Sequence, residues 1–459
     1  MFDITSYLDL PAALVVDLTT LLFCIVVLLR YGRLAHSHPA IIYLLFHLLV
    51  VPTRLIAVMN GAPTLFGGYE YLFEPVREGE LVRAALLADL ALAIMTIAWI
   101  RASIVDNRNR STDPLRKDTK SVTLSPRHIW LVVAFALPIG VIGFVLIGNL
   151  PGFEKQVDLG EWQESSWISI TMTWAGLALL ALIYWYGFRW WLTIPMTIYL
   201  SLMAIQGYHR FRVVIPVLLM LQIYLDRRGK KWPPVIAVVG IVAGILIFFP
   251  LKTIGRMTQE GASFNEISQS SSELIKTAMA GQAADQEVLD QLASSLTLID
   301  QAGKFYYGTT YLVLLTSPIP RQWWPDKPGL ADYQKDFSTP SRPMGEMGMI
   351  MTFIGEFYIN FGYLGIVVMS YLSAYWLARG YFRAYRSDYS SVARFAYLLI
   401  ACNLIQVYRD GLMSVVVYTT VNMMPLTIIV LLHLVLPVRR GERVVPGYDR
   451  GTYPNEQMN

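Results

Sequence analysis

The sequence predicts an all-α, polytopic membrane protein with about eleven transmembrane helices and one large external loop containing short helices. Three observations predict it. The 459 residues are 55% hydrophobic with a mean hydropathy of +0.46, well above a soluble chain of this length. Apolar runs recur at the roughly 20-residue length a helix needs to cross a hydrocarbon core. The connections between these runs differ sharply in charge, alternating between basic and acidic or neutral.

The expected spans are 8–29, 39–59, 81–100, 129–149, 167–187, 190–207, 212–226, 233–250, 358–379, 391–408 and 412–436. The first run begins near Tyr7 and reads as a mature span, not as the short core of a cleaved leader. Arg30 and Arg33, the arginines and lysines of 101–127, those of 227–231, Arg379, Arg383 and Arg386, and the tail Arg439, Arg440 and Arg443 mark the cytoplasmic side. Glu70, Glu74, Glu78 and Glu80, then Glu154, Asp158, Glu161 and Glu164, mark the other. The amino terminus is therefore expected outside and the carboxyl terminus inside. The chain divides into 1–250 with eight spans, the external loop 251–357, 358–438 with three spans, and the cytoplasmic tail 439–459. Segments 104–126 and 440–459 read as disordered. Cys24 and Cys402 lie in apolar spans and read as core packing, not as a disulfide or a metal site.

A connection as long as 251–357 calls for a function. Within it, Val288, Leu292, Leu296 and Ile299 share one helical face, so 284–303 is expected to be an amphipathic helix lying over the membrane-embedded part. The stretch SPIPRQWWPDKPGLADY, 317–333, carries four prolines and two adjacent tryptophans, which excludes a helix or a central strand.

Cations collect on the expected outer face against the charge rule. Arg210 and Arg212 lie in GYHRFRVV (207–214), Arg409 in YRDGL (408–412), Lys252 and Arg256 in PLKTIGR (250–256), and Arg321, Lys327 and Arg342 later in the loop. Guanidinium forks match phosphate oxygens and stay charged, so a shared mouth of arginines fits an anionic ligand such as a pyrophosphate. Snorkelling, or pairing with acids such as Asp410, is the structural alternative. Glu356 and His209 are the outer-face groups able to act as a base. Asp17, Arg54 and Asp89 fall in the outer halves of the first three spans, where Arg54 is expected to pair with Asp89 or Asp17. No metal-ligand spacing, phosphate-cradling Gly-Lys-Ser/Thr loop or outer-face Gly-x-Ser-x-Gly occurs, so neither a metal nor a cofactor is expected.

Over roughly 200–425 the chain resembles the bacterial oligosaccharide repeat-unit (O-antigen, Wzy-type) polymerases, within the superfamily that also holds the O-antigen ligases. GYHRFRVVIPVLLML is similar to the family's arginine-bearing turn, with Arg210 in the arginine position, and FFPLKTIGR to the exit into the large loop, with Lys252. IPRQWWPDKP is similar to its Ile-Pro-x-x-x-Trp-Pro-x-x-Pro segment, FIGEFYINFGYLG (353–365) to the re-entry segment with Glu356, and YRDGL to the late external turn with Arg409. The external arginines lack the Arg-x10-Gly pattern of some relatives. The loop 251–357 also lacks the histidine that marks the ligases.

The resemblance implies a glycosyltransferase of surface-polysaccharide (lipopolysaccharide) biosynthesis in a bacterial cytoplasmic (inner) membrane, with the large external loop periplasmic. It would move a growing glycan from undecaprenyl pyrophosphate to a sugar hydroxyl on the next carrier-linked unit. Its partners would be that lipid-linked oligosaccharide, membrane lipids and a chain-length regulator, and no nucleic acid. Arg210 and Arg409 would clamp the departing pyrophosphate, with Lys252 and Arg321 assisting and Arg212, Arg256 and Lys327 nearby. Glu356, then His209, would activate the acceptor. Trp323 and Trp324 would stack on sugar rings or anchor at the interface. An O-antigen ligase, a lipid-linked sugar transporter (flippase) and a non-catalytic member of an export complex are the alternatives. A ladder of repeat numbers distinguishes the first from a single transfer. Repeated halves, which this sequence lacks, distinguish the second. Activity of the protein alone excludes the third.

Overall fold

The computed structural model describes residues 8–64, 75–112, 124, 126–147, 171–206, 211–234, 257, 263, 265–266, 268–270, 288–316, 319, 323–326, 328, 330–337, 351–386 and 391–435. Every regular element among them is helical. The long helices are α1 (Leu10–Tyr31), α2 (Pro39–Met59), α3 (Glu78–Thr112), α4 (Pro126–Ile147), α5 (Thr173–Tyr186), α6 (Trp190–Gln206), α7 (Phe211–Arg227) and α8 (Val288–Ala302). The short α9 (Leu312–Thr316) and α10 (Leu330–Lys335) precede α11 (Phe353–Arg386), α12 (Val392–Asp410) and α13 (Leu412–Val435). Each expected span except 233–250, which lies almost wholly outside the described residues, falls on one of these helices. Among the described residues, α1, α2, α3, α4 and α11 are long and apolar enough to cross a membrane, and α5 and α6 are shorter apolar helices.

The surface chemistry of α1 agrees with lipid. Its buried residues, Leu10, Ala13, Asp17, Leu21, Cys24 and Leu28, form one narrow stripe at helical spacing. Outside that stripe it exposes Val15, Leu22, Phe23, Val26 and Leu29, which water would penalise. Its start is set by Asp9, whose Oδ1 accepts from the Ala12 N–H at 2.9 Å, with Pro11 inside the first turn.

The chain forms two compact units, each assembled from distant segments. The first takes Met1–Asp113, Lys276–Phe382 and Asn403–Val417. In it α1 packs on α2 and α3, and α8 packs on α3 and α2. The second takes Pro114–Ile275, Arg383–Cys402 and Tyr418–Asn459. Its centre is α5, buried from Trp174 to Trp185 and packed on α4, α6 and α7. Gly140 permits the α4–α5 approach, because a Cβ there would lie 2.3 Å from the Ala175 nitrogen. Asp226 of α7 accepts from Arg394 Nε at 2.9 Å and Nη2 at 2.5 Å, which ties α12 to that unit. Cys24 and Cys402 are free and buried.

Three sequence expectations change. Segment 104–112, read as disordered, continues α3; residues 113–123 and 440–459 lie outside the described residues. The tail of the proline-rich stretch, beyond Pro328, opens the helix α10. The helix within 284–303 forms as α8, with Val288, Leu292, Leu296 and Ile299 buried. It is not half-exposed, however: Asp290, Gln291, Ser294 and Ser295 on its polar side are buried too. Asp290 accepts from Arg54 and the Ser295 hydroxyl donates to Gln291 O at 2.7 Å, so these groups do not need solvent.

His38 caps α2, its Nδ1 accepting from the Ala40 N–H at 3.2 Å. Burial between Tyr381 and Phe382 pushes its pKa down to about 3 from an ordinary 6.5. The unfolded chain therefore binds a proton below pH 6.5 while the folded one does not, so stability falls as pH drops through that window toward 3. At pH 5 the expected loss from this group is about 2 kcal/mol. Thermal unfolding in detergent between pH 7 and 5 tests it. The His38→Asn variant, which keeps a good cap, should show a shallower fall, and an equal slope in both proteins refutes the assignment.

Candidate functional site: the Glu356 carboxylate at the re-entry segment

The site is built on a break in α11. Gly362 has φ 60 and ψ −146, a conformation only glycine adopts readily, and it separates a leading segment from the long helix that follows. The break frees two carbonyls of the leading segment. Ile359 O accepts from the Tyr306 N–H at 3.0 Å, and Asn360 O from the Tyr307 N–H at 2.9 Å. The Asn360 side chain completes the joint. Its Oδ1 accepts from the Gly308 N–H at 3.0 Å and the Thr310 hydroxyl at 2.9 Å, and its Nδ2 donates to Glu356 O at 2.8 Å. A piece of the expected external loop is thus docked on the re-entry segment.

Glu356 lies in the first turn of α11, almost wholly buried. Its Oε2 reaches across to the start of α13, accepting from the Met413 N–H at 3.2 Å and from the Leu412 N–H. A carboxylate suits the positive end of that helix. Gly411 makes the approach possible: it has φ +90, and a Cβ on it would stand 2.5 Å from Glu356 Oε2 and 2.9 Å from Met351 O. Glu356 Oε1 is different, being buried with no hydrogen-bond donor among the described residues. The Tyr311 hydroxyl, at the end of the docked loop, is likewise buried with no hydrogen-bond partner among the described residues. Burial and the nearby Glu356 charge push the Tyr311 phenol pKa up, so it remains a protonated donor. A carboxylate oxygen able to take a proton and a phenol able to give a hydrogen bond therefore stand near each other. Tyr43, Phe353 and Tyr408 pack edge to face behind them, with ring centroids 4.8–5.5 Å apart.

Arg409 ends α12, two residues before Gly411, and pairs with Asp410 at 2.8 Å, the local-acid pairing weighed from the sequence. Its side chain stays 23% exposed. Trp324 and Trp323 are exposed. Arg212 belongs to the second unit and is buried, its Nε without an acceptor among the described residues. Arg210, His209, Lys252, Arg256, Arg321, Lys327 and Arg342 lie outside the described residues. Of the expected site residues, the described structure brings together Glu356 and the Arg409 turn.

Two networks escaped the sequence reading. Arg83 donates from Nη2 to the Tyr358 hydroxyl at 2.9 Å and the Tyr363 hydroxyl at 2.8 Å, and pairs through Nη1 with Asp300 at 2.7 Å. It joins α3, α8 and both sides of the α11 break. In the loop, Asp336 takes Lys304 at 2.7 Å and the Tyr306 hydroxyl, and these two hold its carboxyl below the ordinary range.

The expected Arg54–Asp89 or Arg54–Asp17 pair does not form. Arg54 Nε donates to both Asp290 oxygens at 3.1 Å, and its Nη2 donates to Pro63 O at 2.7 Å. The loop helix α8 carries a carboxylate to Arg54, which leaves the two span aspartates to a different partner. His47 Nε2 stands 2.8 Å from Asp17 Oδ1 and 3.4 Å from Asp89 Oδ1. Three separate helices thus supply a cluster of metal-ligand type that no spacing in the sequence announces. The one available signal was an ionisable residue in each of three consecutive spans. Comparison with protein-family models, with curated proteins and with solved structures returns no match.

Proposed function

We propose that the chain is an integral-membrane glycosyltransferase that polymerises undecaprenyl-pyrophosphate-linked repeat units on the outer face of the cytoplasmic membrane. The observation that carries this reading is Glu356: a buried carboxylate with one oxygen tied to the α13 amides and the other, beside a docked loop, without a donor among the described residues. The tied oxygen holds the group in position, and the free one can accept the proton of an attacking sugar hydroxyl. Arg409, at the same turn, supplies positive charge for the departing pyrophosphate. The alternating charge of the connections supports an eleven-span topology with 251–357 outside, which would bring both to the face where flipped repeat units arrive.

The test is a product gel from purified protein in lipid, supplied with the carrier-linked repeat unit of its own host. The expected result is a ladder of repeat numbers. Glu356→Gln should reduce it by about 10²–10⁴-fold, and Arg409→Ala and Arg210→Ala should reduce it as well. A full ladder from Glu356→Gln removes the carboxylate from the chemistry. A single transferred product replaces polymerase by ligase, and substrate crossing the bilayer without any ladder replaces it by transporter.

A further inference from the structure

We propose that Asp17, His47 and Asp89 bind one divalent transition-metal ion within the first three helices. This does not rest on the polymerase reading.

Each residue comes from a different helix, and all three are buried. Asp17 occupies the inward stripe of α1 between Ala13 and Leu21, where an unpaired charge is costly. One donor atom from each residue lies within 4.8 Å of the others, and both carboxylates approach the same ring nitrogen, His47 Nε2. A single ring proton can serve one of them well. It serves Asp17 at 2.8 Å, while Asp17 Oδ2 and both Asp89 oxygens have no hydrogen-bond donor in bonding geometry among the described residues. A buried carboxylate left so is expensive. A dication at the meeting point would replace the ring proton, bring two carboxylates and a neutral imidazole to zero net charge, and take one ligand atom from each helix.

The donor set narrows the ion. One imidazole and two carboxylates suit zinc or manganese, whereas calcium requires more oxygens. Among the described residues, Cys24 and Tyr43 are the other titratable groups within electrostatic reach of the cluster. Arg54 stands seven residues along α2 from His47, about 10 Å, and is held by Asp290, so it does not neutralise the carboxylates. The rival arrangement is a proton shared between Asp17 and Asp89, which face each other closely enough for it.

The experiment uses the full chain, purified in detergent on a tag free of histidine, stripped with chelator, and titrated with Zn²⁺ or Mn²⁺ separately. Metal content by elemental analysis and the thermal unfolding midpoint are read together. The expected result is about one ion per chain with a raised midpoint. Asp89→Asn and Asp17→Asn, close in shape to the native residues, should weaken binding by more than about 100-fold, since losing even an outer-shell partner costs 10–100-fold. Cys24→Ala should leave stoichiometry unchanged. Two results overturn the proposal. Stoichiometric binding that survives both aspartate variants places the ion elsewhere. A wild-type protein that binds neither metal, with an unmoved midpoint, assigns the cluster to the shared proton.

Discussion

Arg54→Ala is expected to destabilise the protein by about 3–5 kcal/mol, read as a large fall in the thermal unfolding midpoint in detergent. Its partner Asp290 is fully buried in the first turn of α8, and the arginine is 1% exposed. Truncating the arginine removes the guanidinium that neutralises a carboxylate in a place water does not reach, and it removes the donor to Pro63 O just past the end of α2. Asp290→Ala should cost a similar amount by stranding the guanidinium. Replacing both with apolar residues, Arg54→Met with Asp290→Leu, should recover most of the loss, because the penalty lies in isolating a charge more than in losing an attraction. If Arg54→Ala leaves the midpoint unchanged, α8 is not held by this pair. A loosened α8 would also disturb Asp300 and the Arg83 network, so the same variant should raise protease sensitivity near 300.

Gly411→Ala is the second large effect, acting on structure and function at once. The residue has φ +90, where a side chain adds about 1–3 kcal/mol of strain. The new Cβ would also sit 2.5 Å from Glu356 Oε2, so the carboxylate must leave the α13 amides. Product formation should therefore fall as far as it does in Glu356→Gln. Gly61→Ala separates the two causes. Gly61 has a comparable φ of +85, but a Cβ there meets nothing within 4 Å. It should lose stability by strain alone and retain product. Equal loss of product from both variants would show that backbone strain, not displacement of Glu356, governs the outcome.

How far each feature was legible in the sequence follows from how local its cause is. The helices at 39–59 and 412–435 could be placed to within a residue or two, because apolar run length, Pro39 and Gly411 act on neighbouring residues. The break in α11 was only half visible: the segment around Gly362 was singled out, but the freed carbonyls of Ile359 and Asn360 mattered only once residues 306–307 were docked on them. Glu356 was picked as an outer-face carboxylate, but not its division into a tied and a free oxygen.

The sequence by itself determined that this is a helical chain with segments long and apolar enough to cross a membrane, that its cysteines are core residues, and that a handful of ionisable side chains sit where solvation is poor. Only the tertiary structure decided their partners. Arg54 chose Asp290, 236 residues away, over the aspartates of neighbouring helices, and that choice left Asp17 and Asp89 to His47. The physical reason is that helix formation and lipid burial are summed over consecutive residues, whereas a buried charge is neutralised by whichever opposite charge packing brings within hydrogen-bonding distance.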